Sequence, residues 1–214
     1  SYGASGGIQV GYGFATHDGG TYQNCGTAFA SDNGATPSNT GRRRSAAYSI
    51  IILSDGNPTM SAQAGVTSFN NDGFTLNWQT NEARADIRQY VALGGPSLTN
   101  AKASSFSLTA TSGTQDITGV GFQPSFAMFL WTFTEAADTN TPHAEIGLGF
   151  AASSSKRAAI VASSEDNRDT TDTWQQQRTD SCILLLDPTT GAQDAIVDFD
   201  QFLTNGFRIN KNDP

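Results

Sequence analysis

Short apolar runs separated by Gly, Asn, Asp, Ser or Pro recur from one end of this chain to the other. On that pattern residues 8–14, 48–53, 73–78, 87–93, 106–111, 126–133, 145–150, 183–186, 195–199 and 206–209 read as β-strands. In Phe74-Thr75-Leu76-Asn77-Trp78 apolar and polar positions alternate, which puts one face of a strand in a core and the other in water. By contrast, Ile50-Ile51-Ile52-Leu53 and Ile183-Leu184-Leu185-Leu186 are apolar throughout, so those strands are expected to be covered on both faces. A weak helical pattern is confined to residues 81–87.

The runs also repeat. Gly11-Tyr-Gly-Phe-Ala15 recurs as Gly147-Leu-Gly-Phe-Ala151, Phe29-Ala-Ser31 as Val161-Ala-Ser163, and Ile50 to Leu53 as Ile183 to Leu186. Phe69 with Gly73-Phe-Thr-Leu-Asn77 recurs as Phe202 with Gly206-Phe-Arg-Ile-Asn210. Four matches in one order, 132–136 positions apart, predict a tandem architecture. The expected fold class is all-β, with two tandem jelly-roll-like β-sandwich repeats, each incomplete, over residues 1–97 and 98–214. Residues 114–133 precede the second copy with no counterpart before the first, and residues 87–95 follow the first with no counterpart after the second. The missing strands are expected from further sequence of a longer protein or from a neighbouring subunit adding strands to an open edge, with the former preferred.

Composition narrows the function classes. Charged residues make up 15% of the 214, and the net charge is -8, so a phosphate backbone is not an expected partner. The consecutive Arg42, Arg43 and Arg44 read as a solvated turn or a salt-bridge donor to a neighbour. No apolar run is long enough to span a membrane as a helix. Cys25 and Cys182 fall at non-equivalent places in the repeat and read as isolated buried thiols.

Candidate chemistry is sparse. Glu82, Glu135, Glu145 and Glu165 are the only glutamates, and a glycosidase would need two carboxylates across one cleft. Glu135 with Glu145 could bracket a loop, but acidic residues in polar loops of an acidic chain are expected to be solvated. Asp187, Asp194, Asp198 and Asp200, and the loop Glu165-Asp166-Asn167 with Asp169 and Asp172, are oxygen-rich, but neither has an EF-hand spacing, so hydrated loops are expected. His17 and His143 have no nucleophile elbow nearby. No catalytic residue, metal or cofactor is expected. Among the aromatics that could stack on a sugar, Trp78 and Trp131 read as core or interface residues, and Trp174 as the exposed contact.

A resemblance rests on Ile117-Thr-Gly-Val-Gly-Phe-Gln-Pro124, Gly147-Leu-Gly-Phe-Ala151, Ser68-Phe-Asn-Asn-Asp-Gly-Phe-Thr-Leu-Asn-Trp78 and Tyr90-Val-Ala-Leu-Gly-Gly95. This order resembles repeat proteins encoded among the structural genes of tailed bacteriophages, with their "GVGFQPD", "DGFTLNW" and "YLALGG" habits. The resemblance implies a non-enzymatic virion component, such as a capsid decoration, head fibre, or tail-associated or fibre protein. Its partners would be copies of itself and other virion proteins. Trp174, Arg42, Arg43, Arg44, Arg168 and Arg178 are the candidate partner or glycan contacts. The alternative is a carbohydrate-binding or host-adhesion module.

Overall fold

The computed structural model describes residues 7–17, 21–31, 37–54, 59–81, 88–134, 136–170 and 172–212. Among them there is no helix. Six strands come from the first part of the chain: β1 (Gly7–His17), β2 (Thr21–Ser31), β3 (Asn39–Ser45), β4 (Ile50–Leu53), β5 (Met60–Asn70) and β6 (Gly73–Thr80). Nine come from the second: β7 (Gly113–Thr118), β8 (Ala127–Trp131), β9 (Thr141–Pro142), β10 (Ala144–Ser153), β11 (Lys156–Ser164), β12 (Thr173–Arg178), β13 (Ile183–Leu186), β14 (Gln193–Leu203) and β15 (Gly206–Asn212).

These strands form four antiparallel sheets in two packed pairs. In the first half, sheet β1-β2-β3-β9 faces sheet β4-β5-β6. In the second, β12-β11-β10-β8 faces β13-β14-β15-β7. The second core is the larger, with Phe129, Ile183, Leu185, Val197, Phe199, Phe207 and Ile209 at its centre. The first is built on Cys25, Phe29, Ile51 and Leu53. β13 is covered on both faces as expected: Ile183 and Leu185 join the main cluster, while Leu184 and Leu186 pack with Ala159 and Val161.

The halves follow one scheme. β1-β2-β3 with β4-β5-β6 corresponds to β10-β11-β12 with β13-β14-β15. Ile52 and Leu185 each precede a register shift in their ladders, and further shifts fall between Val66 and Ser68 and between Phe199 and Gln201. A Cβ at Gly13 would collide with the Ser49 carbonyl, and one at Gly149 with the Cys182 carbonyl. Gln23 reaches across to the backbone of Val66, and Arg157 to that of Phe199. Strand register corrects one sequence match. Gly11 opposes Thr27 and Gly147 opposes Val161, so Val161 corresponds to Thr27 and not to Phe29. It also makes Gln175-Gln176-Gln177 the counterparts of Arg42-Arg43-Arg44.

Two predicted strands are absent. Residues 88–93 and 106–111 are rich in β-formers but pair with no neighbouring strand. Tyr90, Val91 and Leu93 are exposed, while Phe106 and Leu108 pack against the second core from an irregular segment. Most of the weak helical pattern at 81–87 lies outside the described residues.

Candidate functional site

The richest cluster of buried polar groups lies where the halves meet. β3 presents the outer face of the first sandwich, and the second half lays its 132–145 and 164–168 segments across it. The Arg42 side chain is buried. Its Nε donates to the Phe133 carbonyl, and Nη1 donates to the carbonyls of Pro142 and His143, each at 2.9 Å. The guanidinium also stands 5.6 Å from the centre of the Phe133 ring. The arginine triplet is therefore not a solvated turn but part of a strand, and its first member is an internal clamp. A planar fork with donors in fixed directions suits a set of converging carbonyls.

The chain bends sharply to deliver those carbonyls. Phe133, Asp138 and His143 all have positive φ although none is glycine. The seam is tied at several further points. Thr40 N–H donates to Asp166 Oδ1, Asp166 N–H to His143 Nδ1, Ser38 N–H to the Arg168 carbonyl, and Asp138 N–H to the Arg44 carbonyl. β9 pairs with β3 through Gly41 and Arg42.

Glu145 is fully buried at the start of β10. Burial pushes its carboxyl up from an ordinary 4.5 to about 8, opposed chiefly by the positive charge of Arg42. Neither carboxyl oxygen has a hydrogen-bond partner of normal geometry, nor has the nearby Trp131 indole N–H. Glu135, the other carboxylate of that candidate pair, lies outside the described residues. Beside this buried acid, His143 Nδ1 is already engaged, accepting the Asp166 N–H in a hydrogen bond that ties the seam.

The other candidates are mostly satisfied within the chain. Arg168 pairs with Glu165 and Asp172, and Arg178 with Asp180. Asp187 caps its own turn through Thr189, and Asp198 pairs with Arg157. Among the described residues no three His, Cys, Asp or Glu side chains are placed to hold a metal ion. Cys25 and Cys182 are free, and burial pushes both thiols up to about 12, which suits the expected role of inert core residues.

The tryptophans exchange roles relative to expectation. Trp174 is half-buried on β12, packed against Leu184 and Leu186, with its indole over Gly191. Trp131 lies on Gly147, where any Cβ would enter the ring. Trp78 is the exposed one, at 40%.

What remains open is apolar surface. On the first half, Tyr12 and Gly26 of the outer sheet face are covered by Thr132 of the second half. Register places Leu148 and Ile160 at those two positions in the second half, and both are exposed, with Phe150, Met128 and Phe126 beside them. Sequence reading missed this face because every other residue of β8, β10 and β11 belongs to the core, and the intervening apolar residues look like more of the same. No protein-family model, curated protein or solved structure matches the chain.

Proposed function

We propose that this protein is a non-enzymatic structural component of a phage-like virion, a capsid decoration, head fibre or tail-associated protein, acting by assembly outside the cell. One observation carries the assembly part. Around Tyr12 and Gly26 the outer sheet face of the first half is covered by Thr132, whereas the equivalent area of the second half is open, and it carries Phe126, Met128, Leu148, Phe150 and Ile160. Contiguous exposed apolar residues of this size mark contact surfaces. A unit stacked on that face, as the second half stacks on the first, makes a head-to-tail contact that extends an array. The virion setting rests on the order of the GVGFQP, DGFTLNW and YVALGG motifs.

Light scattering after size exclusion tests the reading. Assemblies larger than one chain are expected at high concentration, dissociating on dilution, with Ile160→Asp and Leu148→Asp each shifting dissociation to at least tenfold higher concentration. A monomer at every concentration, or turnover of a polysaccharide, would overturn it. The adhesion alternative is favoured by the exposed indole of Trp78. Glycan-array binding lost in Trp78→Ala would establish that reading instead.

A further inference from the structure

The segment that closes the seam runs straight into a buried acid, and the two are mechanically tied. Glu145 lies two residues beyond His143 and three beyond Pro142, whose carbonyls Arg42 Nη1 holds. It stands opposite Ser163 of β11 on the core face of the sheet, and its two oxygens and the Ser163 hydroxyl are all buried without a hydrogen-bond partner. β8 pairs with β10 only from Gly147 to Ala151, so among the described residues Ala144, Glu145 and Ile146 are held by β11 alone. This end of β10 can therefore fray without disturbing the core cluster around Phe199. Any fraying that brings the Glu145 carboxyl to water drags Pro142 and His143 off Arg42.

The closed form also stores strain. Asp138 and His143 hold positive φ, a backbone region that a side chain enters only at a cost, and the Arg42 hydrogen bonds help to hold the bend. Release of those carbonyls relaxes the bend, so closed and lifted segments are two discrete arrangements. Groups on several elements face Glu145. Arg42 of β3 favours its ionisation and Asp194 of β14 opposes it, while the Leu186 backbone of β13 and the Trp131 indole of β8 are nearby donors. Burial outweighs them and raises the carboxyl from 4.5 to about 8. Two other titratable groups of the seam act in the opposite direction. A proton on His143 Nδ1 displaces the Asp166 N–H, and one on the Asp166 carboxylate weakens its bond from the Thr40 N–H, so both loosen the seam as pH falls. Loosening as pH rises is the signature of Glu145 among these groups.

We infer that Glu145 is a proton-controlled latch on the seam between the two sandwiches. With its proton on, the acid stays in the core and Arg42 keeps its three carbonyls. With the proton lost, the carboxylate goes out to water with the start of β10, and Arg42 gives up Pro142 and His143. An ionised carboxylate without a donor is too costly to keep in an apolar interior, and the weakly held end of β10 is its exit. β9 then leaves β3, which bares the backbone edge along Gly41 and Arg42. The sign follows from linkage. The lifted form titrates near 4.5 and the closed form near 8, so opening is rarest below pH 4.5, grows as pH rises between the two values, and levels off above about 8. The latch belongs to the single chain and is independent of any assembly.

Amide hydrogen exchange of the full chain, expressed as protection relative to the unfolded rate at each pH, reads the latch. The Asp138 N–H, which donates to the Arg44 carbonyl, and the amides of residues 144–146 are expected to lose protection by tenfold or more from pH 5 to 7.5. Residues 183–186 in the core are expected to change by less than about threefold. Glu145→Gln cannot ionise, so its seam protection should stay flat over the same range. Asp194→Asn removes a carboxylate that opposes ionisation, and it should bring the upper end of the loss to lower pH. Seam protection in the parent that does not fall with pH, or a Glu145→Gln seam that loosens as the parent does, overturns the latch. An equal loss at residues 183–186 also overturns it, because the event is then unfolding of the whole second sandwich. Where Glu145→Gln fails to fold, Asp194→Asn decides, and an unmoved upper end overturns the assignment to Glu145.

Discussion

The two sandwiches share six strands, two pairs of register shifts and one carbonyl-on-glycine contact, yet their cores differ greatly in size. The difference is confined to one side, where β7 and β8 stand in the second half. This separates what the six-strand unit needs by itself from what it needs in order to be closed. Gly13 and Gly149 belong to the first category. Gly147, under the Trp131 indole, and Gly206, against the Ile117 carbonyl, belong to the second, and their counterparts Gly11 and Gly73 make no such contact.

The sharpest way to break that comparison is to substitute one glycine pair. Gly206 has φ of +148° and presses against the Ile117 carbonyl, so Gly206→Val forces both a strained backbone and displacement of the β7 edge strand. A loss of about 4 kcal/mol in the unfolding transition of the second half is expected. Gly73→Val, facing open space, should stay within about 0.5 kcal/mol of the parent. Denaturant titration followed by tryptophan fluorescence measures both. Equal losses would show that the two turns do not stand in the same relation to their surroundings.

Sequence pattern reached the strands that advertise themselves by apolar content and missed those that do not. Gly73–Thr80, Ile183–Leu186 and Gly206–Asn212 are legible because bulky residues alternate or run together. Thr21–Ser31, Asn39–Ser45 and Thr173–Arg178 are built from small and polar residues, and their strand character comes from neighbours on either side or from the other half packed over them. Residues 88–93 fail in the opposite sense. They have the composition of a strand, but among the described residues no strand pairs with them, and a strand exists only as one member of a pair. The seam was illegible for a related reason. Nothing local to Arg42 announces that three carbonyls about 100 positions away will converge on it.

The seam supplies the next effect in size. Because Glu145 titrates near 8 in the folded chain and near 4.5 when unfolded, both forms hold the proton below about pH 4.5 and the group costs nothing there. Between those values the unfolded chain releases its proton first, so stability falls as pH rises, and above about pH 8 the fall levels off. From pH 4.5 to 7 the decline amounts to roughly 3 kcal/mol. Glu145→Gln should abolish that slope and leave the parent less stable than the variant at pH 8. Thermal unfolding across pH 4.5–8.5 measures it, and an unchanged slope would show that water reaches the carboxyl.

The smallest contrast sharpens what the seam is for. Arg42 and Gln175 hold equivalent positions, one clamped under the second half and one on its open face. Arg42→Lys keeps the charge but not the planar fork, so it cannot satisfy three carbonyls together and is expected to cost about 2 kcal/mol. Gln175→Ala, with no unit above it, should change stability by less than about 0.5 kcal/mol. The same pair separates geometry from charge. Arg42→Lys should leave the midpoint of the Glu145 slope near its parental pH, because a cation still faces the acid. Arg42→Gln removes the cation and should drive that midpoint higher. Identical midpoints in the two variants would mean that the Arg42 charge does not act on Glu145, and that the clamp works through its hydrogen bonds alone.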